Sequence, residues 1–352
     1  MRGQAAAATP SDPVRLRARR PDDLLAVVPY LLGFNPTESL VTLLVRDGRV
    51  ALTARLDLQP GTEAALTAYV QDLAHAHGAA TVVLVAYSAN REEAAAVLRH
   101  LLDEVVEVPV DDALLVAGER WWSLACTSGC CPEEGRPYDP GAHPFAAEAV
   151  FAGLSARPSR TDVAAQVVGP DSGDWAALRE LARQLRDPLR ALGSDGRRQR
   201  MAAAVVAGLD PVDPPEETAR RTSELGDESC LELALLARES RVRDVACALV
   251  TRERAESHVA LWQRVVARVP SELAVAPLCL LGLAAWVAGN GTLLNCAEER
   301  VEALDPEYPM GRLLADVAGR GLPPSWWDAM GADLRSDLGL AGDRRRSTRL
   351  SP

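Results

Sequence analysis

The spacing of hydrophobic and polar positions changes near the middle of the chain. Early on, PDDLLAVVPYLLGF carries apolar residues at helical spacing, with Pro21 at its start and Asp22 and Asp23 in the first turn. Carboxylates there suit the positive end of a helix. Pro29, inside the run, is expected to kink or split it. SLVTLLV (39–45) and RVALTARLDL (49–58) flank Asp47-Gly48, the turn signal of a β-hairpin. A helix over 61–78 closes at Gly78, and TVVLVAYS (81–88) is a continuous apolar strand of the kind buried on both faces. A helix over 91–107 leads to a second hairpin, DALLVAG (112–118) against RWWSLAC (120–126). The order α, ββ, α, β, α, ββ predicts a mixed sheet covered by helices, because the lone middle strand is reached through helical crossovers.

From about residue 145 the strand pattern stops. FAAEAVFAGL, DWAALRELARQLRDPLRAL, RRQRMAAAVVAGL and the stretch 229–338 all show helical periodicity, and DPVDPPEET (210–218) reads as a loop between helices. The predicted class is α/β followed by an all-α domain. The expected divisions are a disordered tail over 1–20, an α/β domain over 21–144 ending in a Trp/Cys hairpin, a helical domain over 145–338 and a disordered basic tail over 339–352. The arginine clusters RLRARR (15–20) and DRRRSTR (343–349) fall in the tails, where solvation is the expected fate of such runs.

Composition narrows the chemistry. The chain contains neither lysine nor isoleucine, which points to a GC-rich coding sequence. It also excludes a Walker phosphate loop, a kinase ATP-binding lysine and a pyridoxal Schiff base. The net charge of −11 argues against a nucleic-acid surface. MRGQAAAATPSDP lacks the apolar core of a secretory signal, and LAVAPLCLLGLAAWVAG (273–289) is short and interrupted by Pro277, so no membrane span is expected. A cytoplasmic protein with reduced cysteines follows as the expectation. No G-x-S-x-G and no dinucleotide-binding glycine spacing is present, and His75, His77, His100 and His258 fall in predicted helices.

DLLAVVPYLLGFNPTESLV, GRVALTARLDL and RWWSLACTSGCCPEEGRPYDP together resemble an actinobacterial domain of unknown function, family 4192, through most of the chain. The resemblance implies no activity. Members of that family often carry histidine where Asn35 stands here, which counts against a ligand role at this position. A second likeness lies in residues 280–309, where Leu281-Gly282, Gly289 and Asp305-Pro306 fall at the spacing of one tetratricopeptide repeat. Leu294, Glu298 and Val301 depart from that pattern. One unit cannot bury its own face, so a helical hairpin packed on its neighbours is expected.

Candidate chemistry concentrates in two places. Cys126, Cys130 and Cys131 follow the second hairpin, and three thiolates with His143, Glu134 or Asp139 as fourth ligand would suit a structural zinc. The same cysteines are equally consistent with metal-free packing, and a redox pair is a third reading. At the strand ends, Asn35, Arg55 and Asp57 are placed to line a ligand crevice or to serve as turn and surface residues. Two functions are carried forward. One is a non-catalytic protein-interaction or scaffold role, with the exposed parts of Trp121, Trp122, Trp326 and Trp327 anchoring a protein partner. The other is a small-ligand sensor or enzyme using the crevice.

Overall fold

The computed structural model describes residues 18, 20–59, 61–126, 131–151, 154–169, 175–209, 222 and 224–340. The chain forms two compact units, Met1–Arg160 and Thr161–Pro352. The expected boundary at 144/145 stands at the start of a helix that packs within the first unit. Both expected tails lie almost wholly outside the described residues, as does the loop expected at 210–218.

The first unit opens with α1 (Pro21–Leu32), where Asp23 accepts the backbone N–H of Arg20 at 3.1 Å and so caps the helix start. Pro29 neither splits nor ends α1. Its ring is buried on the helix's apolar face, and that burial offsets the hydrogen bond that proline cannot make. β1 (Ser39–Arg46) and β2 (Arg49–Asp57) form the first hairpin, turning through Asp47 at φ 53° and Gly48 at φ 68°, the paired left-handed geometry of a tight hairpin turn. Then come α2 (Glu63–Ala76), β3 (Thr81–Tyr87) and α3 (Arg91–Glu104), whose N-cap Asn90 accepts from the Glu93 N–H. β4 (Val110–Ala117) and β5 (Arg120–Ser123) make the second hairpin, and β5 stops three residues short of Cys126. A two-residue strand, β6 (Arg136–Pro137), pairs with β5, and α4 (Pro144–Phe151) packs on α1.

The sheet order is β2-β1-β3-β4-β5-β6, with β3 and β4 parallel and every other neighbour antiparallel. The single parallel pair is bridged by α3, as the crossover argument requires. One sheet face, carrying Leu40, Leu44, Leu84, Ala86, Ala113 and Leu115, forms a core with Leu66, Val70 and Leu73 of α2 and Val97, Leu98 and Leu101 of α3. Strand alternation sends Val41, Leu43, Val83, Val85, Leu114 and Val116 to the opposite face, and these are equally buried. Burial on both faces explains why β3 reads as an unbroken apolar run.

The second unit is helical. After α5 (Arg160–Ala164), which spans the junction, come α6 (Trp175–Ala191), α7 (Gly193–Leu209), α8 (Asp227–Ala237), α9 (Ser240–Leu249) and α10 (Ala255–Val266). They are followed by α11 (Ser271–Val287), α12 (Gly291–Leu304), α13 (Pro309–Gly319) and α14 (Ser325–Asp337). α11 is the centre. Every residue from Ala276 to Val287 is buried, and α8, α9, α10, α12 and α13 surround it. A helix that is apolar all round has no solvent face to present, which is why its sequence resembles a short membrane segment. No helix among the described residues is long and apolar enough to cross a membrane. α11 and α12 form a hairpin turned at Gly289 (φ 80°), with Asn290 accepting the Leu293 N–H at 3.0 Å, and α13 packs on both.

Candidate functional site

Polar side chains converge at the β4–β5–β6 end of the first sheet. β4 pairs with β3 through a register shift: Val82 faces Val110, but Val83 faces Asp112. Asp111 is the extra residue. A bulge re-aims side chains, and here it lets the consecutive carboxylates of Asp111 and Asp112 line the same cleft. Asp112 Oδ1 accepts from the Ser123 hydroxyl at 2.6 Å and from the Ala113 N–H at 2.8 Å, so its orientation is fixed by β4 and β5 together. The cleft encloses about 370 Å³ and is completed by Arg20 and Asp22 at the head of α1, Trp121, Arg136, Cys126 and Cys131. Trp121 is 4 % exposed, with the Arg136 guanidinium 5.8 Å from its ring centre.

A second, smaller cavity of about 240 Å³ lies on the other side of β5, against α3. Trp122 forms its wall, with Arg91 stacked 4.4 Å over the ring and the indole N–H donating to the Glu133 carbonyl at 3.1 Å. Arg120 donates to the carbonyls of Glu134 and Gly135, which holds the returning loop against the hairpin. Gly135, at φ 78°, passes so close to Trp122 that a Cβ there would stand 2.4 Å from the ring. Glycine is needed at this position on both counts.

Of the residues proposed for metal binding, His143, Cys126 and Cys131 are among the described residues. His143 Nε2 faces the Asp23 carboxylate at 3.4 Å as the donor, while its Nδ1 accepts the Phe145 N–H at 3.3 Å. The imidazole is thus committed to joining the starts of α1 and α4. Cys126 and Cys131 border the cleft, and Cys130 lies outside the described residues. Among the described residues no three His, Cys, Asp or Glu side chains are grouped to hold a metal ion.

Arg55 donates to Ser39 Oγ at 2.8 Å and pairs with Asp57 at 2.6 Å where β1 begins and β2 ends. Asn35 is exposed, and its backbone N–H bonds to the Arg157 carbonyl. Asn35, Arg55 and Asp57 do not line the two cavities described above. The residue that organises this end is Glu38, which the sequence reading passed over. It takes a left-handed φ of 43° and its carboxylate accepts from the Ser88 hydroxyl and the Ala89 N–H, each at 2.7 Å, just before α3 begins. An acidic residue in the turn before a strand was the available signal. A carboxylate already fills the place where a helix start would attract an anion.

The remaining reactive groups are sequestered. Burial pushes the thiols of Cys230, Cys247 and Cys279 up to about 11, 12 and 12. Burial likewise pushes His258 down to about 4, leaving a neutral ring whose Nε2 lies 3.0 Å from the Leu249 carbonyl. Of the tryptophans, Trp327 is buried and donates to the Val250 carbonyl, whereas Trp326 is 56 % exposed.

A family model described as Domain of unknown function (DUF4192) matches residues 21–325. No curated protein and no solved structure matches the chain.

Proposed function

Starting from the fact that the chain belongs to the DUF4192 family, we propose that it is a non-catalytic binding protein whose first unit takes a small polar molecule in the cleft beside Trp121. The observation carrying this reading is the cleft itself. Arg20 and Arg136 share its lining with Asp22, Asp111 and Asp112 around one indole, in a volume of about 370 Å³. Small-molecule sites start at about 300 Å³. Charges of both signs around an aromatic wall suit a small zwitterion, with carboxylates for its cationic end, guanidiniums for its anionic end and the indole for its stem. A catalytic role has less support. His143, which meets Asp23 beside the cleft-lining Asp22, has both ring nitrogens engaged, and the three shifted thiols lie in the other unit.

Titration of the chain with free amino acids and dipeptides, followed by tryptophan fluorescence and calorimetry, tests the reading. A saturable response that disappears in Asp111→Asn and Arg136→Gln supports it. No saturable response up to about 10 mM, the weak end of useful affinities, removes it.

A second reading, a protein-interaction role for the helical unit, is favoured by Trp326 and Met330. They stand one turn apart on α14, 56 % and 53 % exposed. Large apolar side chains left in water at helical spacing are the usual form of a helix-docking anchor. A photo-crosslinker at position 330 would trap a partner through this face, and Trp326→Ala would lose it. A cytoplasmic location belongs to both readings and is checked by imaging a tagged chain in its source cell.

A further inference from the structure

The helical unit has a cavity of its own, enclosing about 230 Å³. Its lining combines the apolar Val168, Val266 and Val269 with Trp175, Arg179 and Arg300. Both charged side chains in that lining are guanidiniums, and none is a carboxylate. The two arginines differ in how their charge is met. Arg179 on α6 donates from Nε and Nη2 to the two carboxylate oxygens of Glu272, at 2.5 and 3.3 Å. That contact holds Glu272 below the usual carboxylate range, so the pair stays charged and mutually cancelled at neutral pH. Arg300 on α12 is half-buried, and among the described residues it makes no hydrogen bond or ion pair. Its own helix supplies none. Glu298, Glu299 and Glu302 stand one or two residues away, where side chains on a helix do not face each other. The positions that share its face, three and four residues away, hold Cys296, Ala297, Ala303 and Leu304. We infer that this cavity is a binding site for a small organic monocarboxylate, with Arg300 as its anchor.

The lining sets the ligand's chemistry. A guanidinium partly withdrawn from water has lost hydration that no protein group replaces here. A carboxylate restores it well, because its two oxygens match two parallel N–H groups of the guanidinium fork. One uncompensated positive charge calls for one negative charge. A phosphate dianion would bring a second that the lining does not balance. The valines and the Trp175 indole offer packing surface to a hydrocarbon body attached to that carboxylate. Volume sets its length. Sites for drug-sized molecules begin at about 300 Å³, and this cavity is smaller, so the acid is short-chained.

The anchor stands on a fixed support. α12 is capped at its start by Asn290 and packs along the buried α11, so the backbone carrying Arg300 is in place before a ligand arrives. Groups held by packed helices lose less freedom on binding than groups on loops. The site is independent of the cleft beside Trp121, whose lining lies entirely in the first unit. Failure of either proposal leaves the other standing.

The test uses the full chain and isovalerate, a branched short-chain carboxylate, followed by titration calorimetry and by saturation-transfer NMR of its methyl signals. Saturable binding is expected, weakened at least about tenfold in Arg300→Gln, the scale of one charge-assisted contact. Isovaleramide, of the same shape without the charge, should not bind. Val168 is 40 % exposed, so Val168→Asp should fold, place an anion in the cavity and abolish binding. It serves if Arg300→Gln does not fold. Asp111→Asn and Arg136→Gln, which test the first unit's cleft, should leave isovalerate binding unchanged. No saturation up to about 10 mM overturns the inference, as does binding that survives both Arg300→Gln and Val168→Asp. Equal binding of isovaleramide overturns it too. Saturable binding of inorganic phosphate but not isovalerate would make the cavity an oxyanion site of another kind. Loss of isovalerate binding in Arg136→Gln but not in Arg300→Gln would move the acid to the first unit and equally remove the proposal.

Discussion

Single residues carry much of the site's geometry, and two of them give direct expectations. Gly135 lies against the face of Trp122 with a left-handed backbone. Gly135→Ala forces the indole away and strains φ, so it should cost about 3 kcal/mol, the sum of overpacking and left-handed penalties. A urea titration read by tryptophan fluorescence checks this, and an unchanged midpoint would mean the indole yields freely. His258 is fully buried, with its pKa held at about 4 by burial. In the unfolded chain the same ring titrates near 6.5, so as pH falls the unfolded state takes up the proton first. Stability from this group is therefore intact above about pH 6.5 and is lost progressively down to about pH 4, by about 3 kcal/mol at most. His258→Gln, which keeps a donor toward Leu249, should flatten that part of the profile measured by urea midpoints between these limits.

At the scale of elements, the sequence showed most of what period and turn chemistry control. The Asp47-Gly48 hairpin, the doubly buried β3 and the change from strands to helices all stand in the structure. What it hid depends on partners distant in the chain. β6 is two residues long and exists only because β5 offers an edge. The bulge at Asp111 is a property of the β3–β4 pairing. The cleft draws on positions from Arg20 to Arg136, which no local window unites. The cysteine cluster was visible by spacing alone, but the place of Cys126 and Cys131 at the edge of two cavities was not. Helix packing yields one more expectation. A Cβ on Gly311 would stand 2.6 Å from Val301 Cγ1, where α13 crosses α12. Gly311→Ala should destabilise the second unit by about 1–3 kcal/mol. Adding Val301→Ala should recover part of that loss, and the double-mutant cycle measures the coupling.

For the whole molecule, two compact units and one family match extending over both are the governing facts. Each unit contains a core of its own, the sheet with α2 and α3 in one and α11 with its surrounding helices in the other. A fragment of residues 1–160 is therefore expected to unfold in one cooperative transition by calorimetry. A broad, heatless transition would mean that its core is incomplete without the second half. The net charge of −11 and a pI near 5.1 should keep the chain dispersed at neutral pH and steer cationic rather than anionic molecules toward it.

Glu38 has a consequence that reaches beyond its own hydrogen bonds. Its carboxylate is tethered by the chain beside the Ser88 hydroxyl and the Ala89 N–H. A tethered group competes at an effective concentration of about millimolar or more. Dilute phosphates and free carboxylic acids from the surrounding solution are outcompeted there without any barrier being built against them. The chain thereby supplies that spot with an anion of its own, always present and never diluted.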